Sequence, residues 1–143
     1  CIRDSYKKAP YFKNYKDFFE DFYLNNKWTN LSELNQYLIK EISTNFLKLN
    51  HVLFENSTKY NLKHQKGKRV IELLKKTNAT NYFSGPSAKN YIKEEVFNNH
   101  NIDIHWMNYD NYLTYNQPYG QFEHQVSIVD LLFNKGESSV DFI

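Results

Sequence analysis

The chain has 143 residues, with 18 basic and 16 acidic side chains, a net charge of +2, 41% hydrophobic and 17% aromatic residues. A chain this long removes roughly 70% of its extended surface from water without staples, and so rich an aromatic content excludes a disordered class. No apolar run reaches the ~20 residues of a membrane span, and four Gly and three Pro exclude collagen-like and low-complexity classes.

Cys1-Ile2-Arg3-Asp4-Ser5 reads as a non-native tail and is given no chemistry. Residues 6–143 read as a single α/β domain, since no repeat, linker or charge run divides them. Tyr15, Phe18, Phe19, Phe22 and Tyr23 recur at helical spacing, which predicts a helix over 14–25. Asn30 followed by Glu33 forms a capping-box pattern, and Leu31, Leu34, Leu38, Ile42, Phe46 and Leu49 carry a second helix to about residue 48. His51 to Glu55 reads as a short strand, 57–68 as a loop, and 66–77 as a helix with Val70, Ile71, Leu73 and Leu74 apolar.

A second strand over 80–84 stops at Ser84-Gly85-Pro86-Ser87, and a helix is expected from 88 to 99. Ile102, Ile104 and Trp106 alternate with Asp103 and His105, the period of two of a third strand over 102–107. Residues 109–122 are aromatic without a period. Val126 to Phe133 reads as a helix closed by Asn134-Lys135-Gly136. Strand and helix alternate between 51 and 107, so the expected fold class is α/β: a small, mostly parallel sheet of about three strands with crossover helices.

Chemistry concentrates in two stretches. In open α/β sheets ligands sit beyond the carboxyl ends of the strands, where the 84–87 turn lies. Gly85 would admit a ligand close to the backbone, Ser84 and Ser87 offer hydroxyls, and a helix beginning near Ser87 would favour an anion. A plain turn with Ser87 as a cap explains the same residues. The second stretch holds Tyr115, Gln117, His124, Ser127 and Asp130. Asp130 lies between Ile128-Val129 and Leu131-Leu132-Phe133, so its carboxylate should be buried and need a partner. It could act as a base, orient an amine, or cap its own helix with Ser127. The single Cys fits a reducing cytoplasm and excludes an internal disulfide, five scattered His give no metal spacing, and no cofactor motif occurs. A pI near 8.5 is too mild for a nucleic-acid binder.

Taken together, Tyr82-Phe83-Ser84-Gly85-Pro86-Ser87-Ala88, Ile102-Asp103-Ile104-His105-Trp106, Tyr112-Leu113-Thr114-Tyr115-Asn116-Gln117 and the run from Phe122 to Gly136 resemble the WbqC-like protein family. The resemblance covers nearly all of the chain after Ser5. Members begin with a Gln-Pro-Tyr-rich segment and a Trp-Ile-Asn-Arg-Asn-like motif that do not occur here, so the chain resembles the C-terminal part of a member. The resemblance implies a cytoplasmic bacterial protein of surface-polysaccharide (O-antigen-type) biosynthesis. Its reaction would be an acyl or aminoacyl transfer to an amino sugar or nucleotide sugar, with a small-molecule sugar or acyl donor as partner. The matched polar residues are Ser84, Gly85, Ser87, Tyr91, Gln117, His124, Ser127 and Asp130, and the resemblance carries no catalytic assignment onto them. Read as an enzyme, the chain would bind substrate through Ser84, Gly85, Ser87, Tyr91, Gln117 and Ser127, with Asp130 or His124 moving a proton. The rival reading is a non-catalytic module that binds polysaccharide precursors by stacking the tyrosines between residues 109 and 119 on sugar rings.

Overall fold

The computed structural model describes residues 1–110 and 112–143. Their contacts divide the chain into one unit of Cys1–Phe54 with Tyr112–Ile143, and a second of Glu55–Asn111.

The first unit is helical. Ile2–Tyr6 forms α1, Phe12–Glu20 forms α2 and continues as a π-helical turn over Asp21–Asn25, and Leu31–Glu41 forms α3, continued by a π turn over Ile42–Phe46. The Asn30 side chain caps α3 by accepting from Ser32 and Glu33 N–H, the role its position suggested. After the chain returns at Tyr112, Ile128–Lys135 forms a further helix (α6). Its Phe133 is fully buried, and Tyr6, Phe12, Tyr15 and Phe19 place their ring centroids 5.1, 5.3, 6.5 and 5.5 Å from it. Such ring pairs add about 0.5–1.5 kcal/mol each beyond the area they bury. Ala9, Ile42, Leu47 and Leu132 complete this core, and Ile2 of the stretch set apart as a tail packs against it.

Gly136 closes α6 at φ 61° and ψ −132°, a conformation in which a Cβ is strained. Room is lacking as well. A Cβ there would lie 2.5 Å from the Tyr11 ring.

The second unit is smaller. Lys66–Lys76 forms α4, as expected. Asn81–Ser84 (β1) and Asp103–Trp106 (β2) pair in parallel, with Phe83 opposite His105 and Ser84 opposite Trp106; Glu94–Asn98 forms the short α5 between them. Ile71, Ala88, Ile92, Phe97 and Ile102 are its core. The alternation read over 102–106 is observed: Ile102 is buried and Ile104 and Trp106 half-buried, while Asp103 and His105 are exposed.

Two expectations fail. The sheet has two strands among the described residues, not three. Residues 51–55 form no strand: Val52 is 41% and Leu53 80% exposed, so the apolar run lacks the covered face that stabilises an extended segment. The helix expected over 88–99 is replaced by a 3₁₀ turn at Pro86–Asn90 and the five-residue α5. Pro86 starts the tight turn, Tyr91 leaves helical geometry at φ −137°, and Asn101 in the left-handed region (φ 58°) closes the bend after α5.

Candidate functional site

In the first unit the polar centre is Asp130, 5% exposed at the start of α6. Ser127 caps that helix, its Oγ accepting from the Val129 N–H at 3.2 Å. The Asp130 carboxylate turns away from the cap. Its Oδ1 accepts from the Tyr115 hydroxyl (2.6 Å), Gln117 Nε2 (3.0 Å) and Asn134 Nδ2 (3.3 Å), and the Tyr6 hydroxyl also bonds the carboxylate. Four neutral donors from three parts of the chain therefore converge on one buried acid. A general base must reach the proton it takes; here the lone pairs of Oδ1 already face donors. The arrangement suits a group that orients its neighbours.

The phenols register that charge. Burial first, then the negative charge of Asp130 and a hydrogen bond to it, push Tyr6 up to about 12. Burial and the same carboxylate also raise Tyr115. Both stay protonated donors across the physiological range. Gln117 is engaged twice more, donating to the Glu123 carbonyl (3.0 Å) and accepting from the Glu123 N–H (2.9 Å), which closes the 117–123 loop. His124 is exposed with its ring edge-on to Phe122 at 4.6 Å, and Phe122 in turn meets Tyr115 edge-on at 4.9 Å. Asn134 directs its amide N–H to Asp130, which leaves its buried Oδ1 without a partner among the described residues. Flipping the amide would set oxygen against carboxylate, so the carboxylate fixes its orientation.

In the second unit the strand ends carry the other candidates. Ser84 is buried at the end of β1, and its carbonyl accepts from the Met107 N–H (2.9 Å). Gly85 has an ordinary φ of −67°, so its lack of a side chain matters for space: a Cβ would come within 3.3 Å of the Tyr109 hydroxyl. Ser87 is exposed inside the 3₁₀ turn and is not its cap, and Tyr91, just beyond, is 68% exposed. Because that turn is one short 3₁₀ segment opened by a proline, the helix-end argument for an anion at Ser87 falls away.

On the outward face of β1 and β2, the alternation with Ile104 and Trp106 already places His105; the structure adds Phe83 and Asn81 beside it. Phe83, 65% exposed, lies nearly parallel to the His105 ring at 4.7 Å and 20°, and His105 Nε2 pairs with Asn81 Oδ1 at 2.7 Å. The signal was present in the period of two, which sends Phe83 and His105 to the same side of adjacent strands. Asn134, four residues after Asp130, was likewise findable from helical spacing. Tyr6 was not: nothing local ties residue 6 to residue 130. Among the described residues no three His, Cys, Asp or Glu side chains are grouped as a metal site requires, and no helix is long and apolar enough to cross a membrane.

Comparison with known proteins supplies the family. The model of the WbqC-like protein family matches residues 1–142. A Mycobacterium tuberculosis protein named Uncharacterized protein Rv1507c is 40% identical over all 143 residues, and the chain spans 61% of that relative's length. No solved structure matches the chain. The family match takes in the strand-end turn, the β1–β2 face and the Asp130 helix alike, and the chain belongs to the WbqC-like protein family.

Proposed function

We propose that this chain serves bacterial surface-polysaccharide (O-antigen-type) biosynthesis in the cytoplasm by binding the sugar of a precursor on the outward face of β1 and β2. One observation carries the reading: an exposed Phe83 ring backed by His105, beside the His105–Asn81 hydrogen bond. A sugar offers apolar C–H faces to a ring and hydroxyls to polar groups placed around it, the mixture that small-molecule sites use for orientation. Ser84, Gly85, Ser87 and Tyr91 then line the adjoining strand end. Saturation-transfer NMR of the full chain with a panel of amino sugars tests this. Transfer to ring C–H protons that disappears in Phe83→Ala is expected. Transfer that survives the substitution contradicts the reading.

A second reading, acyl or aminoacyl transfer to an amino sugar, draws on the first unit. Buried carboxylates with shifted neighbours gather at functional sites, and the 2.6 Å Tyr115–Asp130 bond is such a feature. Asp130 and His124 would move the acceptor's proton, with Gln117 and Ser127 beside it. Mass spectrometry of nucleotide sugars incubated with acyl donors and the full chain would reveal the product. Undiminished turnover in Asp130→Asn would remove Asp130 from that mechanism.

A further inference from the structure

Residues at i, i+4, i+7 and i+8 share a helix face, so Lys68, Glu72, Lys75 and Lys76 line one side of α4. That side borders a cleft of about 580 Å³ whose other walls include Ile71, Val96 and His100, a size usual for small-molecule sites. Two of its charges are engaged within the chain. Glu72 accepts from the backbone N–H groups of Lys63 (2.9 Å) and His64 (3.0 Å) and meets His64 Nδ1 at 3.0 Å. Lys76 approaches Glu72 at 3.4 Å and donates to the Tyr60 carbonyl. These bonds tie the segment before α4 to the helix.

Lys68 and Lys75 have no ion-pair partner among the described residues. Seven residues separate them, about 10 Å along the helix axis. Their four-carbon stems are long enough to turn both ammonium groups toward one multiply charged anion, and lysine is a point-charge phosphate binder. A lone carboxylate would need only one of them. The apolar floor of Ile71 and Val96 adds room for a flat or apolar body attached to the anion.

We infer that the cleft between α4 and α5 binds the diphosphate of a nucleoside diphosphate, with Lys68 and Lys75 on the phosphates and Ile71 and Val96 against the nucleoside. This deepens the proposed function and rests on it for the choice of nucleotide, since sugars are activated as nucleoside diphosphates. The cations themselves ask only for phosphate.

Isothermal titration of the full chain with UDP, inorganic pyrophosphate and uridine tests the inference. UDP and pyrophosphate should each bind one site, with uridine at least tenfold weaker than UDP. Lys68→Ala/Lys75→Ala should weaken UDP and pyrophosphate at least tenfold and flatten the loss of affinity with added salt. Lys40→Ala on α3, with an unchanged circular dichroism spectrum in both variants, is the control and should bind UDP normally. Absence of saturable UDP binding, or UDP affinity unchanged in the double variant, overturns the inference. So does a single-stranded RNA oligomer that binds the cleft more tightly than UDP. Phe83→Ala separates the two claims: lost amino-sugar binding with retained UDP binding supports both, whereas amino-sugar binding unaffected by that variant fails the sugar-face reading alone.

Discussion

The two units treat similar residues in opposite ways. In the first, rings pack inward around Phe133, and the conspicuous acid is sealed beneath four donors. In the second, Phe83 faces solvent, and two lysines of α4 stand without ion-pair partners among the described residues. A buried polar network whose hydrogen bonds are made within the chain rigidifies its surroundings and leaves few lone pairs for a ligand. An exposed aromatic ring or an unneutralised cation contributes little to folding and is available for binding. On the proposed reading, the acidic helix orients and stiffens, while recognition belongs to the smaller unit.

The largest test sets two phenylalanines against each other. Phe133→Ala should cost about 3–5 kcal/mol, the usual penalty for emptying a ring from a sealed core, whereas Phe83→Ala should stay within about 0.5 kcal/mol. Denaturant titration of both variants checks this, and similar losses would erase the contrast. Asp130→Asn should follow at about 1–3 kcal/mol, because its Oδ1 can still accept from Tyr115, Gln117 and Asn134 but the charge that strengthens those buried bonds is lost. A stability equal to the parent protein would mean that the donor cluster contributes nothing. Ser127→Ala should cost about 1 kcal/mol through the lost cap on Val129 N–H, and affect sugar and UDP binding less than Phe83→Ala and the lysine pair respectively.

Proton linkage gives the finest test. Tyr6 ionises more easily unfolded, near its ordinary value of 10, than folded, at about 12. Its stabilising contribution is therefore complete below pH 10 and is lost as pH climbs from 10 toward 12. Glu72 behaves in the opposite sense. The backbone N–H of His64 leads the bonds that hold it at about 2, against an ordinary 4.5. Its contribution is present above pH 4.5 and fades as pH falls toward 2. Ultraviolet titration of Tyr6→Phe beside the parent should remove one late-ionising phenol, and Glu72→Gln should flatten the acid limb of a stability profile. Unchanged curves would show that these contacts do not form in solution.

What could be read in advance follows from how local each signal is. The helices over α2, α3 and α4, the alternation of β2, the Asn30 cap and the Gly136 stop are set by neighbours within a turn or two, and all appear. Burial of Asp130 was legible from the apolar residues on either side. The strand expected at 51–55 was not observed because an apolar run alone does not say whether a partner will cover it. The helix expected at 88–99 was overridden by Pro86 and the turn chemistry after it. The four donors on Asp130 could not be enumerated, since Tyr6 reaches it across more than a hundred residues of chain. The lysine pair of α4 carries no local signal, because lysines are ordinary on the solvent side of an amphipathic helix, and only the folded bonds of Glu72 and Lys76 show which of its cations lack ion-pair partners.

The most direct test of the central claim is amide chemical-shift mapping of the full chain titrated with UDP-N-acetylglucosamine. Perturbations concentrated at Phe83, Tyr91, His105, Lys68 and Lys75, with those at Tyr115, Gln117 and Asp130 near zero, are the predicted result. Saturable shifts centred on Tyr115, Gln117, His124 and Asp130, with the smaller unit silent, would contradict it.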